Sequence, residues 1–443
     1  MLRALVIATF IASPLAAQEF FTLKGHGGPI MDVAVSPSGQ IATASFDNAV
    51  GVWTQDGPLW LEGHRAAVNT VGFLNEHVLA SGGDDFKLWV WSAASGKGRL
   101  AGGHTAKIAD VVTAPDGQTI ATASWDSTIG LTRIDGLDGP IATWQVGNTV
   151  HLSGHRAGVN ALAFTQDGQT LYSASVDGTI RSWQVNDPAA VSTVVVKHGF
   201  GVNRLIVNDA EGWLAYGAAD GGTRMIDLET GRSIADFTLG RRPILSMAFD
   251  PQAKSLAVGD GQGYIMFIDT DARRISNDFR ASSSGPIWAL SFSPDGQNIH
   301  AGGLEDIVYS WPVAATGQQV PMNGGTRTFL EDPKTLPNGE RQFKRKCSIC
   351  HTLTLGSARR AGPSLYGLFG RKAGAVADYT YSNTLDGSDI VWSAETINAL
   401  FDLGPDHYIP GTKMPMQRIV KQRDRDDLID YLRTNTGVGR DLK

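Results

Sequence analysis

The feature that most constrains this 443-residue chain is a self-similar unit that recurs with a period of about forty residues through its first three hundred positions. Gly-His pairs open the units at Gly25-His26, Gly63-His64, Gly103-His104 and Gly154-His155, and weaker equivalents follow at Lys197-His198, near Gly240 and near Gly285. That makes seven starts. Each is followed by an alternating apolar run such as Ile30–Val35, Val159–Phe164 or Ile287–Phe292, then by a turn of the type Ala114-Pro115-Asp116-Gly117 or Ser293-Pro294-Asp295-Gly296. A second run and a third follow, the third ending in Trp53, Trp91, Trp183 or Trp311. Short alternating runs separated by Pro, Asp and Gly are antiparallel hairpins, because alternation puts one face of each strand in the core and the turn residues supply the reversal. A unit of this size cannot bury its apolar face alone, so the seven must pack side by side.

The repeats resemble WD40 repeats, which implies an all-β seven-bladed propeller over residues 18–313. In that family a His, a Ser or Thr, an Asp and a Trp form a hydrogen-bonded network in each blade. The resemblance assigns His26, Ser45, Asp47 and Trp53 to it in the first repeat and His155, Ser175, Asp177 and Trp183 in the fourth. The second keeps His64, Asp85 and Trp91 with Gly83 at the Ser position, the third has Thr132 for Trp, and the last three depart further. These histidines are read as structural. The last repeat supplies three strands and Phe20–Leu23 precedes the first Gly-His, so an N-terminal strand is expected to complete the last blade and remove the open edges.

A different chemistry begins late in the chain. Its only two cysteines stand in Cys347-Ser348-Ile349-Cys350-His351, and Cys-x-x-Cys-His is the attachment pattern of a c-type haem. Each thiol adds to a vinyl group, and the histidine reaches the iron. A zinc site needs further soft ligands, and no second cysteine pair exists. A redox dithiol belongs in a strand-to-helix context that is not found here. Some sixty residues on, Ile409–Met416 is a Pro- and Gly-rich loop that offers the Met414 thioether as a second axial ligand, and His/Met ligation raises a haem's reduction potential.

Residues 338–443 resemble a class I cytochrome c of the mitochondrial type, an all-α fold. The match is carried by Gly339–Phe343, the Cys347–His351 motif, Gly362–Arg371, Tyr379, Tyr381, Trp392, Pro410–Met414 and Asp427–Leu432. The resemblance implies one covalent haem c on Cys347 and Cys350, with His351 and Met414 as axial ligands. It also implies that Pro363 accepts from His351, and that Arg371, Tyr381 and Trp392 surround the haem propionates. Gly339 and Phe343 are expected to pack on Tyr431 where the first and last helices cross. Leu385 stands where the family often has Asn, and Met416 replaces an aromatic residue and is itself a candidate ligand.

Residues 1–17 read as a secretory signal peptide: one Arg, a short apolar run and small residues at the end. The run is too short to span a bilayer, and the expectation is a soluble, exported, periplasmic protein. With both thiols taken by haem, no disulfide is expected. Residues 314–337, rich in Gly, Pro, Thr and Gln, read as a connector. From Pro321 to Lys443 there are 18 Lys and Arg against 14 Asp and Glu, which leaves 20 against 30 for the rest. Neither part is basic enough for nucleic-acid binding. The charge asymmetry suggests docking between the two parts or steering of separate partners.

The functional reading is a one-electron carrier with the propeller as protein-docking scaffold. Two alternatives stand beside it: a haem-dependent oxidoreductase with an active site in or near the propeller, and a haem-based sensor or assembly factor, which requires Met414 to be labile.

Overall fold

A computed structural model describes residues 20–189, 191–283, 285–316, 335–382 and 384–437. The segment read as a signal peptide lies outside these residues, as does most of the connector, 317–334. Among the described residues no helix is long and apolar enough to cross a membrane.

Seven antiparallel sheets form a ring of blades. The first blade runs outward through Ile30–Val35, Ile41–Ser45, Ala49–Thr54 and Gly57–Glu62, and the next five begin with the inner strands Val68–Asn75, Ile108–Thr113, Val159–Phe164, Val202–Asn208 and Ile244–Asp250. The seventh has three consecutive strands, Ile287–Phe292, Asn298–Gly303 and Ile307–Pro312, and its fourth is Phe21–Lys24, which pairs antiparallel with Ile307–Ser310. The expected closure by the N-terminal strand is therefore present. The third blade has five strands, since Gln145–Val146 and Val150–Ser153 both pair with Thr128–Asp135.

All seven inner strands carry a bulge at the same place, between their first and third residues: Ile30/Asp32, Val68/Thr70, Ile108/Asp110, Val159/Ala161, Val202/Arg204, Ile244/Ser246 and Ile287/Ala289. A bulge turns its extra residue out of the ladder, and here those side chains fasten one blade to the next. Asn69, Asn160 and Asn203 donate from Nδ2 to the carbonyls of Ile108, Val202 and Ile244. Asp32 and Asp110 accept from the Val71 and Leu162 N–H groups of neighbouring blades. Burial pushes the Asp32 carboxyl up to about 6, and the two backbone N–H donors and the Arg204 charge oppose that only in part.

The blade network differs from the sequence expectation in one member. In the first blade His26 Nδ1 meets Asp47 at 2.8 Å, while its Nε2 meets Thr43 Oγ1 at 2.7 Å, and Trp53 Nε1 donates to that same hydroxyl at 3.0 Å. The hydroxyl is Thr43, not Ser45. Ser81 and Ser173 take the same role in the second and fourth blades, between His64 and Trp91 and between His155 and Trp183. The second repeat is thus complete, and Gly83 is not a gap in it. Ser45 and Ser175 instead donate to the carbonyl of Gly28 or Gly158 and accept the N–H of Asp47 or Asp177. In the third blade His104 keeps Asp126 and Thr122, and Thr132 bonds Thr149 where Trp stood elsewhere. The fifth uses His198, Asp220 and Tyr216. In the sixth Arg241 bonds Asp260 and Asp278 and lies 4.2 Å over the Tyr264 ring.

The C-terminal domain is built on helices α1 (Asn338–Lys346), α2 (Ala394–Leu403), α3 (Pro405–Tyr408) and α4 (Gln422–Asn435). Helices α1 and α4 cross as expected. A Cβ at Gly339 would lie 2.1 Å from the Asp427 carbonyl oxygen, so only glycine permits the approach, and the Phe343 and Tyr431 rings pack with centroids 5.5 Å apart, tilted by 35°. Asn338 Nδ2 fastens the crossing to Asp424 and Asp427 at 2.9 and 2.6 Å.

Two outcomes follow. Ser81→Ala strands the buried His64 Nε2 and Trp91 Nε1 and is expected to cost about 1–3 kcal/mol in reversible unfolding, whereas Gly83→Ser restores nothing. Burial would raise the Asp177 carboxyl, but hydrogen bonds from Thr179, the Arg156 N–H and His155 outweigh it and hold the group below its ordinary value, while burial lowers His155. Both folded-state values are depressed, so the unfolded chain takes up protons first. Stability present at neutral pH is expected to fall as pH drops below ~6.5 and further below ~4, and Asp177→Asn is expected to flatten the acid limb of a thermal melting profile against pH.

Candidate functional site

Helix α1 ends at Lys346, and its cap residue Cys347 donates its N–H to the Phe343 carbonyl. The next turn brings Cys350 and His351 round to the same side, through Cys350 N–H to Cys347 O at 3.0 Å and His351 N–H to Cys347 O at 2.8 Å. Both cysteines are buried and unpaired. Burial pushes the Cys347 thiol up to about 12 and the Cys350 thiol up to about 11. Such thiols are poor thiolates and poor metal ligands as they stand.

The His351 ring is set from two sides. Its Nδ1 donates to the Pro363 carbonyl at 2.7 Å, which leaves Nε2 as the nitrogen with a free lone pair. A Cβ at Gly362 would fall 2.4–2.9 Å from three ring atoms, so glycine there lets the ring lie against the backbone. Burial lowers the His351 pKa, with Arg371 adding to the effect, and the neutral imidazole is the form that binds metal.

A cavity of about 530 Å³ has Cys347, Cys350, His351 and Met414 on its walls. Its apolar lining includes Leu365, Leu368, Ile397, Leu400 and Phe401, drawn from the core between α2 and the loop after the cysteine motif. That size and lining suit a large flat apolar ligand. Polar groups gather in one part of it: Arg371, Tyr379, Tyr381 and Trp392 all line the cavity. Arg371 donates to the carbonyls of Tyr366 and Ser364 at 2.5 and 2.7 Å, Tyr381 Oη accepts from the Val376 N–H, and Tyr379 donates to Ala361 O at 2.6 Å. Burial raises the Tyr379 and Tyr381 phenols, so both remain donors.

Cys347, Cys350, His351, Pro363, Arg371, Tyr381, Trp392 and Met414, singled out from the sequence for this site, therefore all line one cavity. Met416 does not: it is half-exposed and lies over Gly404, while Met414 faces in. Leu385 is on the wall. The donor set also fits a haem chemically, since two cysteines at the cavity edge, one oriented imidazole and a thioether address one apolar space. Among the described residues no group of three or more His, Cys, Asp or Glu side chains converges as a metal cluster.

Sequence reasoning missed the other rim of the cavity. Arg65, Asp84, Phe86, Lys107 and Trp125 of the propeller line its mouth. Their only signal was position, since Phe86 and Trp125 flank the structural Asp85 and Asp126 in the turns and remain 40% and 50% exposed.

Residues 336–436 match the family model described as cytochrome c, and residues 17–54, 59–92, 98–131, 147–184 and 274–311 match that of the WD domain, G-beta repeat. The fifth blade and most of the sixth lie outside these matches, which agrees with the replacement of His by Arg241. Cytochrome c of Ginkgo biloba is 43% identical over 110 residues, 25% of this chain and 96% of that protein. Cytochrome c of Theileria parva is 46% identical over 95 residues, 21% and 81% respectively, and that of Gossypium barbadense 45% over 106 residues, 24% and 93%.

Gly362→Val is expected to drive the His351 ring off the Pro363 carbonyl and to cut haem per polypeptide by about tenfold, in line with the loss on removing such outer supports. Pyridine-haemochrome absorbance against protein concentration measures it.

Proposed function

Because residues 336–436 make this chain a member of the cytochrome c family, joined to a WD40 propeller, we propose that it carries single electrons on one covalent haem c, using the propeller to hold protein partners. The convergence of Cys347, Cys350, His351 and Met414 on one apolar cavity carries this reading. Cys347 and Cys350 would hold the group through thioethers, and His351 Nε2 and Met414 Sδ would be its axial donors. When bound, the haem supplies a reversible one-electron couple at iron.

The chain's own residues then do four things. The Pro363 carbonyl fixes the tautomer and plane of His351. The Leu365, Leu368, Leu400 and Phe401 side chains exclude water, which favours the less charged state of the group. Arg371, Tyr381 and the Trp392 indole would offer donors to the propionates of a bound haem, whose burial would otherwise cost several kcal/mol. The loop before Met414 is held by Lys413, whose Nζ donates to Thr380 O at 2.7 Å, and by the Met414 N–H to Thr412 Oγ1 at 3.2 Å. Were His351 and Met414 both to hold the group, no open site would remain for substrate, which favours electron transfer.

Export fits the same reading: residues 1–17 would direct the chain across a membrane, and the periplasm is where we place it. N-terminal sequencing of the fractionated protein, expected to begin near Gln18, checks this.

For the haem, the ferric protein is expected to show a weak band near ~695 nm from Met-to-iron ligation and no spectral change with carbon monoxide in the ferrous form. Met414→Ala is expected to abolish the band, admit carbon monoxide and lower the reduction potential, while Met416→Ala leaves all three unchanged. Carbon monoxide binding by the unaltered protein would refute His/Met ligation.

A further inference from the structure

The contact between the two domains is built around a glycine. Gly27 follows the network histidine of the first blade and is buried, and the three heavy atoms nearest to a Cβ built on it are all cytochrome-domain backbone: Arg359 O, Ala358 O and Arg359 C at 2.3–2.4 Å. Its φ lies outside the left-handed region, so its own conformation does not require glycine. Ala358 and Arg359 do adopt that region, at φ 46° and 54°, where they press their carbonyls onto the propeller. The Arg359 guanidinium lies 4.2 Å over the Trp60 ring and 3.0 Å from Glu62, and Trp60 in turn packs on His26 at 4.7 Å.

This anchor sits beside the cavity mouth. The rim that covers the mouth comes from the turns of blades one to three, with Arg65, Asp84, Phe86, Lys107 and Trp125 opposite Lys346, Lys413 and Pro415. Lys413 is close enough to feel both Arg65 and Asp85. Glu62 thus pairs with Arg359 and Asp85 acts on Lys413 across the contact, while Asp84 offsets Lys107 within the rim, which also carries Arg65.

We propose that the rim of blades one to three is a resident docking partner for the haem crevice of the same chain, so that protein redox partners exchange electrons with the crevice only when it is released. The partner that fits the released mouth is a protein with an acidic face, which replaces Glu62 and Asp85 against Arg359 and Lys413 and meets Lys346 beside them. A covalently linked rim competes at a local concentration of order millimolar, so a free partner meets a reduced fraction of competent crevices and its rate falls by that fraction. The proposal rests on the haem reading above.

The test uses the full-length haem-loaded protein and two variants: Gly27→Val, whose side chain has room only if the domains part, and Glu62→Arg, which sets two cations against each other at Arg359 and leaves the basic mouth unaltered. Hydrogen exchange is read in peptides covering 105–107, 125 and 358–361, with 171–184 as a propeller fold control. Electron transfer is read as bleaching of cupric plastocyanin, an acidic blue-copper protein, and compared with ferricyanide, a small reagent. The exchange is one electron, ferrous to ferric on this chain and Cu(II) to Cu(I) on the probe, with no bond made and no proton moved.

Both variants are expected to lose protection at 105–107 and 358–361 but not at 171–184, and to reduce plastocyanin about tenfold faster with under about threefold change for ferricyanide, as for a crevice freed from a ~10% competent population. Unchanged protection overturns the docking, and lost protection with an unchanged plastocyanin rate overturns the gating. A chain that carries no haem by its pyridine-haemochrome spectrum sinks the electron-carrier reading and the gating with it, while exchange still reports on the contact.

Discussion

Ring closure is the constraint on which the rest of the molecule depends. Seven twisted sheets with unpaired edges would be an aggregation hazard, and only the pairing of Phe21–Lys24 with Ile307–Ser310 makes the last blade whole. The bulge side chains then act as staples from blade to blade. Closure also decides where the second domain begins. The third strand of the last blade ends at Pro312, in the blade next to the first, and it is the first blade against which Arg359 lies.

In the first, second and fourth blades the hydroxyl shared by His and Trp is the polar centre, and its chemistry explains why the pattern survives replacement elsewhere. Thr43, Ser81, Thr122 and Ser173 each accept or donate to a ring nitrogen that is otherwise buried without a partner. Where His is lost, Arg241 supplies donors to Asp260 and Asp278 instead. A buried carboxylate needs a donor of some kind, and the fold is indifferent to which side chain brings it.

Much of this was legible in the sequence, for reasons that differ by region. The cysteine motif and the Met414 loop are local patterns whose spacing is the chemistry, so the cavity residues could be named in advance. The blade count followed from seven openings, three of which no longer contained Gly-His. The network hydroxyl was misplaced because Thr43 and Ser45, or Ser173 and Ser175, point to the same face of one strand two residues apart, and both are buried and bonded. Sequence offers two equivalent hydroxyls and no means of choosing. The domain contact was illegible for another reason: Gly27 and Arg359 are brought together by tertiary structure alone, and a glycine after a histidine reads as part of a turn.

The pairing of Phe21–Lys24 with Ile307–Ser310 has a bearing on the order of assembly. Lys24 and its partner Ile307 are 283 positions apart, a separation that makes this one of the slowest contacts for the chain to find. In synthesis from the N-terminus, the strand at Phe21 exists long before the edge it completes. The cytochrome helices follow that edge, so the haem pocket is made after the propeller and matures next to blades whose strands are already present.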